Sequence, residues 1–144
     1  MSDFDLRSFV PYLLNQAAEE TSLEFARRYR ERYNMLRTEW RVLFHLGRYG
    51  DLTASEIGRI SKMHKTKISR AVKALQEKRF IEARKNDADK RSDILALLPA
   101  GRRAYNDLAT VAERYNNALL SQFSAGERLI LLDCLERLAQ MESP

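Results

Sequence analysis

Apolar residues recur at helical spacing over most of the chain. Over residues 6 to 33 they fall at Leu6, Phe9, Val10, Leu13, Ala17, Phe25 and Tyr29, mostly three or four apart, which predicts a long amphipathic helix. "YNML" (33–36) breaks it. Thr38 then stands where it can cap a second helix holding Trp40, Val42, Leu43 and Leu46, which ends near "RYGD" with Gly50 free to take a left-handed conformation. Thr53 and Glu56 have capping-box spacing and open a short helix over about 54–61 that buries Ile57 and Ile60. "SKMHK" interrupts, and "HKTKISRAVKALQEKRF" (64–80) forms the next helix.

After Phe80 the period changes. "FIEARK" and "SDILALL" flank the polar "NDADKRS", as in a two-stranded hairpin with a long tip. Pro99 suits the first turn of a further helix, in which Tyr105, Leu108, Ala112, Tyr115 and Leu119 form a 3-4-3-4 packing seam. "SAGE" (124–127) is a second capping box. It opens a last helix with Leu131, Cys134, Leu135, Leu138 and Met141 on one face and Leu129, Ile130 and Leu132 elsewhere. No internal repeat or low-complexity linker interrupts this order. The expected fold class is mainly α with a small β-hairpin (α+β). The terminal helices carry more apolar surface than one chain of this size covers, which points to a partner.

A helical wheel of residues 65–77 sharpens the picture. Ala71, Val72 and Leu75 lie within about 60° of Ile68, and the four form the buried stripe. Thr66, Arg70, Lys73 and Glu77 cluster on the opposite side, with Lys67 and Ser69 on the flanks. A lysine-rich face is often only solvated. Here the charge is concentrated. Residues 62–91 hold eleven Lys/Arg and four acids, net +7, while the other 114 residues sum to −2 and the chain to +5. Such an asymmetry is the electrostatic footprint of a nucleic-acid binder. The polar face puts a hydroxyl, Arg and Lys toward the helix N-terminus, the end that enters a major groove.

The segments "LRTEWRVLFHLGRYGDLTASEIGRI" and "HKTKISRAVKALQEKRFIEARKNDADKRSDILALLPAG", with the two helices after them, resemble the MarR family of winged helix-turn-helix transcriptional regulators. The likeness covers about residues 10 to 140. Its most specific piece is the D-x-R of the wing, Asp89-Lys90-Arg91, followed by a strand ending before Gly101. Two positions depart from the pattern: Arg79 stands where the family often has Gly after the recognition helix, and Leu98 where it often has Thr.

The resemblance implies a winged helix-turn-helix lobe over 35–98 and a helical dimerisation region formed by 1–34 and 99–144. It implies a homodimer on a near-palindromic double-stranded operator, with Arg91 reaching the minor groove and Asp89 orienting it. The expected DNA-contacting set is His64, Lys65, Thr66, Lys67, Ser69, Arg70, Lys73, Arg84, Asp89, Lys90 and Arg91. The resemblance also implies a small, often aromatic and anionic effector that releases a repressor from DNA. Tyr12, Tyr33, Trp40, Arg41, Phe44 and His45 could line its site, although Trp40 and Phe44 are better suited to core or packing positions.

The remaining chemistry is sparse. The single cysteine, Cys134, allows no internal disulfide and sits among leucines, as a buried inert thiol would. His45 and His64 lack metal-ligand spacing, and no phosphate loop or nucleophile–base pair appears, so neither a cofactor nor an enzyme activity is expected. Acids in "MSDFDLRSFV" and the lack of a long apolar run suit a cytoplasmic protein without a membrane partner. The alternatives are a non-specific DNA-coating or architectural protein, and a protein-interaction module.

Overall fold

The computed structural model describes residues 3–141, so the outermost residues of the expected segments 1–34 and 99–144 lie outside the described residues. The elements are a 3₁₀ turn (Leu6–Ser8), α1 (Val10–Tyr33), α2 (Arg37–Tyr49), β1 (Leu52–Thr53), α3 (Ala54–Ser61), α4 (Lys65–Glu77), β2 (Ile81–Lys85), β3 (Asp93–Leu97), α5 (Pro99–Leu120) and α6 (Ala125–Ala139). They fall into two compact units, one up to Thr110 and one from Val111 on.

In the first unit, α2 carries Val42, Leu43 and Leu46 into the core against Ile57 of α3 and the α4 stripe. Ile68, Ala71 and Leu75 of that stripe are buried and Val72 half-buried, in agreement with the wheel. Ile81, Leu95 and Leu108 close this core from β2, β3 and α5. At the end of α1, Phe25 and Tyr29 are buried against Trp40, the rings of Phe25 and Trp40 meeting edge to face at 5.1 Å.

Three expectations need correction. The helix expected from residue 6 is a 3₁₀ turn followed by α1 from Val10. Pro11 is the reason: it is tolerated in a first turn, but deeper in a helix its ring would meet the carbonyl of Arg7. Thr38 does not cap α2. The N-cap is Leu36, which has no side-chain acceptor; its backbone N–H donates to Glu39 Oε2 at 3.1 Å, the reciprocal half of a capping box. The hairpin is part of a three-stranded antiparallel sheet, order β1-β3-β2, with Leu52 opposite Leu95 and Ile81 opposite Leu97. Two residues cannot display an alternating pattern, and Thr53 also serves as the α3 cap.

Helix ends follow local chemistry. Gly50 adopts φ +84° and ψ −157°, not the expected left-handed conformation but an extended positive-φ region open essentially to glycine alone. Arg79, in the family's glycine position, takes φ +59°. Its N–H donates to Gln76 O at 2.9 Å and that of Phe80 to Leu75 O at 3.0 Å, a complete Schellman closure of α4 with an arginine in the left-handed position. Arg79→Gly should therefore raise stability, by about 0.5–1 kcal/mol once the greater freedom of the unfolded glycine chain is subtracted. A denaturant midpoint at or below wild type would contradict this.

In the second unit, Ser124 and Glu127 form the expected capping box at the start of α6. No residue of α6 is buried, and Leu129 is 73% and Ile130 66% exposed. Cys134 is half-exposed rather than buried, with Arg137 Nη2 at 3.7 Å from its sulfur. Of the leucines on the same face, Leu135 and Leu138 are exposed and Leu131 half-buried.

Candidate nucleic-acid interface

The geometry of α4 starts in α3. Thr53 Oγ1 accepts from Glu56 N–H at 3.1 Å, so the short helix starts where the capping box places it. It stops at Lys62 (φ +59°), whose N–H returns to Gly58 O. The turn is held from two sides: Met63 N–H donates to Ser61 Oγ at 3.2 Å, and Arg41 Nη2 donates to Ser61 O at 3.0 Å. The N-cap of α4 is His64, whose Nδ1 accepts from Thr66 N–H at 3.2 Å. The ring thus serves as an acceptor at the start of α4.

Lys65, Thr66, Lys67, Ser69, Arg70 and Lys73 are all exposed. Among the described residues none of Lys65, Lys67, Arg70 and Lys73 has an ion-pair partner within the chain. Four cations and two hydroxyls therefore cover the solvent side of a helix whose other side is core. A cleft of about 330 Å³ lies between α3 and α4, lined by Ser55, Gly58, Met63, Lys65, Ile68 and Ser69 among others. Ser55 was missed in the sequence; its only signal was a hydroxyl in the first turn of the preceding helix.

At the tip of the wing, Asp89 Oδ1 accepts from Arg91 N–H at 3.0 Å and lies 3.5 Å from Arg91 Nε, while the Arg91 side chain is 94% exposed. Asn86 Oδ1 accepts from Ala88 N–H at 3.1 Å, and Ser92 N–H donates to Asp89 O at 3.2 Å. Lys90 is exposed beside them. Arg84 differs from these. Its guanidinium is bound to Glu82 at 2.8 Å and lies 3.7 Å from Asp51, so its charge is already engaged within the sheet. Lys78, counted in the +7 segment, is also engaged: its Nζ lies 3.1 Å from buried Glu39. Charge counting could not find a partner 39 residues away.

The six effector candidates do not form one site within the chain. Tyr12 and Tyr33 stand near opposite ends of α1, about 30 Å apart at 1.5 Å per residue. Tyr12 accepts from Gln16. Trp40 and Phe44 do meet, edge to face at 4.8 Å, and Phe44 continues to Tyr105 at 5.0 Å. Arg41 is taken up by Ser61 O; burial and then neighbouring Arg37 push its pKa below the usual value. His45 Nδ1 lies 2.6 Å from Arg41 O, a carbonyl that can only accept, so Nδ1 is the donor in this contact.

Tyr33 belongs to a junction. Its hydroxyl donates to Asp107 Oδ2 at 2.6 Å, and Arg32 Nη1 donates to both oxygens of the same carboxylate at 2.8 and 2.9 Å. Burial, then the bond to Asp107, raise the Tyr33 pKa from 10.0 to about 12; the Tyr33 and Arg32 donors lower that of Asp107. Below pH 10.0 the phenol is neutral whether folded or unfolded, so its stabilisation is complete there and is lost as pH rises toward about 12. The Asp107 contribution is present above the usual carboxylate range and is lost as pH falls through its lowered value. In Tyr33→Phe the last phenol to ionise should disappear from an ultraviolet pH titration, and acid unfolding should begin at higher pH. Curves identical to wild type would contradict the bond.

A two-helix turn with an exposed cationic second helix, followed by a β-hairpin with a carboxylate-held arginine at its tip, is a winged helix-turn-helix. The MarR family model matches residues 33–92, which span α2 through the wing tip. A MarR/EmrR family transcriptional regulator from Acinetobacter sp. ADP1 matches over 94% of this chain and 96% of its own, at 26% identity and TM-score 0.84. Over that lobe the chain is similar to the MarR family. MarR proteins are transcriptional regulators, and among the described residues no helix is long and apolar enough to cross a membrane. A further relative is an uncharacterized HTH-type transcriptional regulator, YwoH of Bacillus subtilis (strain 168), 24% identical over 65% of this chain and 67% of that protein. The fold is also that of Bordetella bronchiseptica BpsR (TM-score 0.86, 15% identity, 98% of this chain and 100% of that one), whose DNA binding is regulated by 6-hydroxynicotinic acid.

Proposed function

We propose that this protein binds duplex DNA sequence-specifically as a homodimer and represses transcription until a small aromatic anion releases it. The observation that carries the DNA reading is the α4 face, where Lys65, Lys67, Arg70 and Lys73 stand exposed without ion-pair partners among the described residues. Arg70 suits a bidentate bond to guanine, Thr66 and Ser69 suit bases or phosphates, and the Asp89-held Arg91 suits a narrow minor groove. His64, Lys65, Lys67 and Lys90 suit phosphates. Arg84, already paired, is the weakest of the expected contacts.

The homodimer is supported by apolar surface that the chain leaves open. Phe4, Phe9, Leu13 and Leu23 are exposed near or on α1, as are Leu129, Ile130, Leu135 and Leu138 on α6. These fall in the segments 1–34 and 99–144, which we assign to dimerisation, leaving 35–98 as the DNA-binding lobe. A two-fold dimer presents its recognition helices about one DNA turn apart and calls for a near-palindromic operator. For the effector, the Trp40–Phe44 rings supply a stacking surface, with His45 Nε2 as a polar neighbour.

Binding of a selected duplex, titrated at several salt concentrations, tests the DNA reading. Lys65→Ala should reduce the slope of log K against log salt by about one and weaken all sequences alike, as loss of one phosphate contact does. An unchanged slope would remove Lys65 from the interface. Native mass spectrometry should show a dimer, with any retained small molecule as added mass.

A further inference from the structure

The α4 helix makes two kinds of contact with the rest of its lobe. Ile68, Ala71 and Leu75 face the core through apolar packing, which is non-directional. At the C-terminal end the contacts are directional. Lys78 Nζ donates to Glu39 Oε1 at 3.1 Å, with the Glu39 side chain 5% exposed and that of Lys78 24%. The other oxygen of Glu39 accepts from Leu36 N–H, so the carboxylate that closes the first turn of α2 also holds the cap residue of α4. One residue later the backbone takes φ +59°, and then Phe80 O accepts from Leu98 N–H at 2.8 Å.

We propose that the pair of buried Glu39 with half-buried Lys78 is a positioning element for DNA reading: it fixes the rotation and axial register of α4, and with them the aim of Arg70 and Thr66. The proposal rests on α4 being the helix that reads duplex DNA. Apolar packing is non-directional and tolerates small rotations of a helix better than a directional bond does. Displacing Lys78 leaves the buried Glu39 carboxylate without its charged partner. Lys78 is engaged with Glu39, at the opposite end of α4 from Lys65 and Thr66, so its effect on DNA is exerted through the aim of the helix.

The test compares Lys78→Met, Glu39→Gln and the double variant with wild type. It uses fluorescence anisotropy on a selected operator and on a random duplex over a range of salt, together with thermal melts. Glu39→Gln keeps an acceptor for Leu36 N–H, and the double variant carries no unpaired buried charge, so it should melt close to wild type even if a single variant does not fold. The double variant is expected to lose about tenfold in operator affinity but less than about twofold on random DNA, with its salt slope unchanged. A double variant with wild-type melting and wild-type operator preference overturns the proposal, since the pair would then serve stability alone. So does a slope reduced by about one with equal loss on both duplexes, which would make Lys78 a phosphate contact. Arg70→Ala runs alongside: a wild type without preference between the duplexes overturns the reading of α4 itself, and the positioning role with it.

Discussion

Replacing Arg70 with alanine is expected to lower affinity for a selected operator by about ten- to hundredfold, since one bidentate arginine–base contact is worth about 1–3 kcal/mol. Arg70 stands mid-helix on the exposed face of α4, opposite the buried Ala71 and Leu75, and is unpaired within the chain among the described residues. Its loss removes no internal contact, so thermal stability should be unchanged. Arg91→Ala should also weaken operator binding, and should do so most where A·T pairs narrow the minor groove. Its backbone N–H still bonds Asp89, so the wing tip itself should persist. Both variants are read by anisotropy titration at fixed salt. Unchanged affinity in both would remove the proposed reading surface.

The largest effect on stability is expected at Gly101. It lies in the first turn of α5, and a Cβ built there falls on the carbonyl of Phe80. That carbonyl accepts from Leu98 N–H at 2.8 Å and joins the end of α4 to the start of α5. Alanine is the better helix former by about 1 kcal/mol. Forcing a methyl against backbone costs about 3 kcal/mol, because backbone cannot yield as the tip of a side chain can. The clash wins, and Gly101→Ala should lower the melting temperature by about 5–10 °C. A variant that melts at or above wild type would show that α5 can move away from Phe80 without loss.

The parts of the fold governed by local chemistry were legible in the sequence. Thr53–Glu56 and Ser124–Glu127 announced the starts of α3 and α6, because a capping box is a fixed spacing of two residue types. The α4 wheel separated Ile68, Ala71 and Leu75 from the cationic face, because a helix buried on one side imposes its period on the sequence. What depended on distant partners was not legible. A strand of two residues, Leu52–Thr53, has no period of its own and exists because β3 offers it an edge. Lys78 and Lys73 look alike in a charge count, yet one lies against Glu39 and the other faces solvent. Arg79 took the left-handed position without glycine because two Schellman hydrogen bonds offset its strain. The effector candidates were grouped by chemistry alone, and the length of α1 separates Tyr12 from Tyr33. Cys134 looked buried because its neighbours are leucines, but Leu135 and Leu138 are themselves exposed.

Sequence-specific reading by α4 and the wing is tested most directly by competition. The protein, bound to a labelled duplex selected from a random pool, is challenged with unlabelled selected or random duplex at the same salt concentration. The α4 face and the Asp89-held Arg91 predict a specificity ratio of at least about 10³. A ratio near one would contradict that reading and identify a DNA-coating protein that uses the same cations only for phosphates.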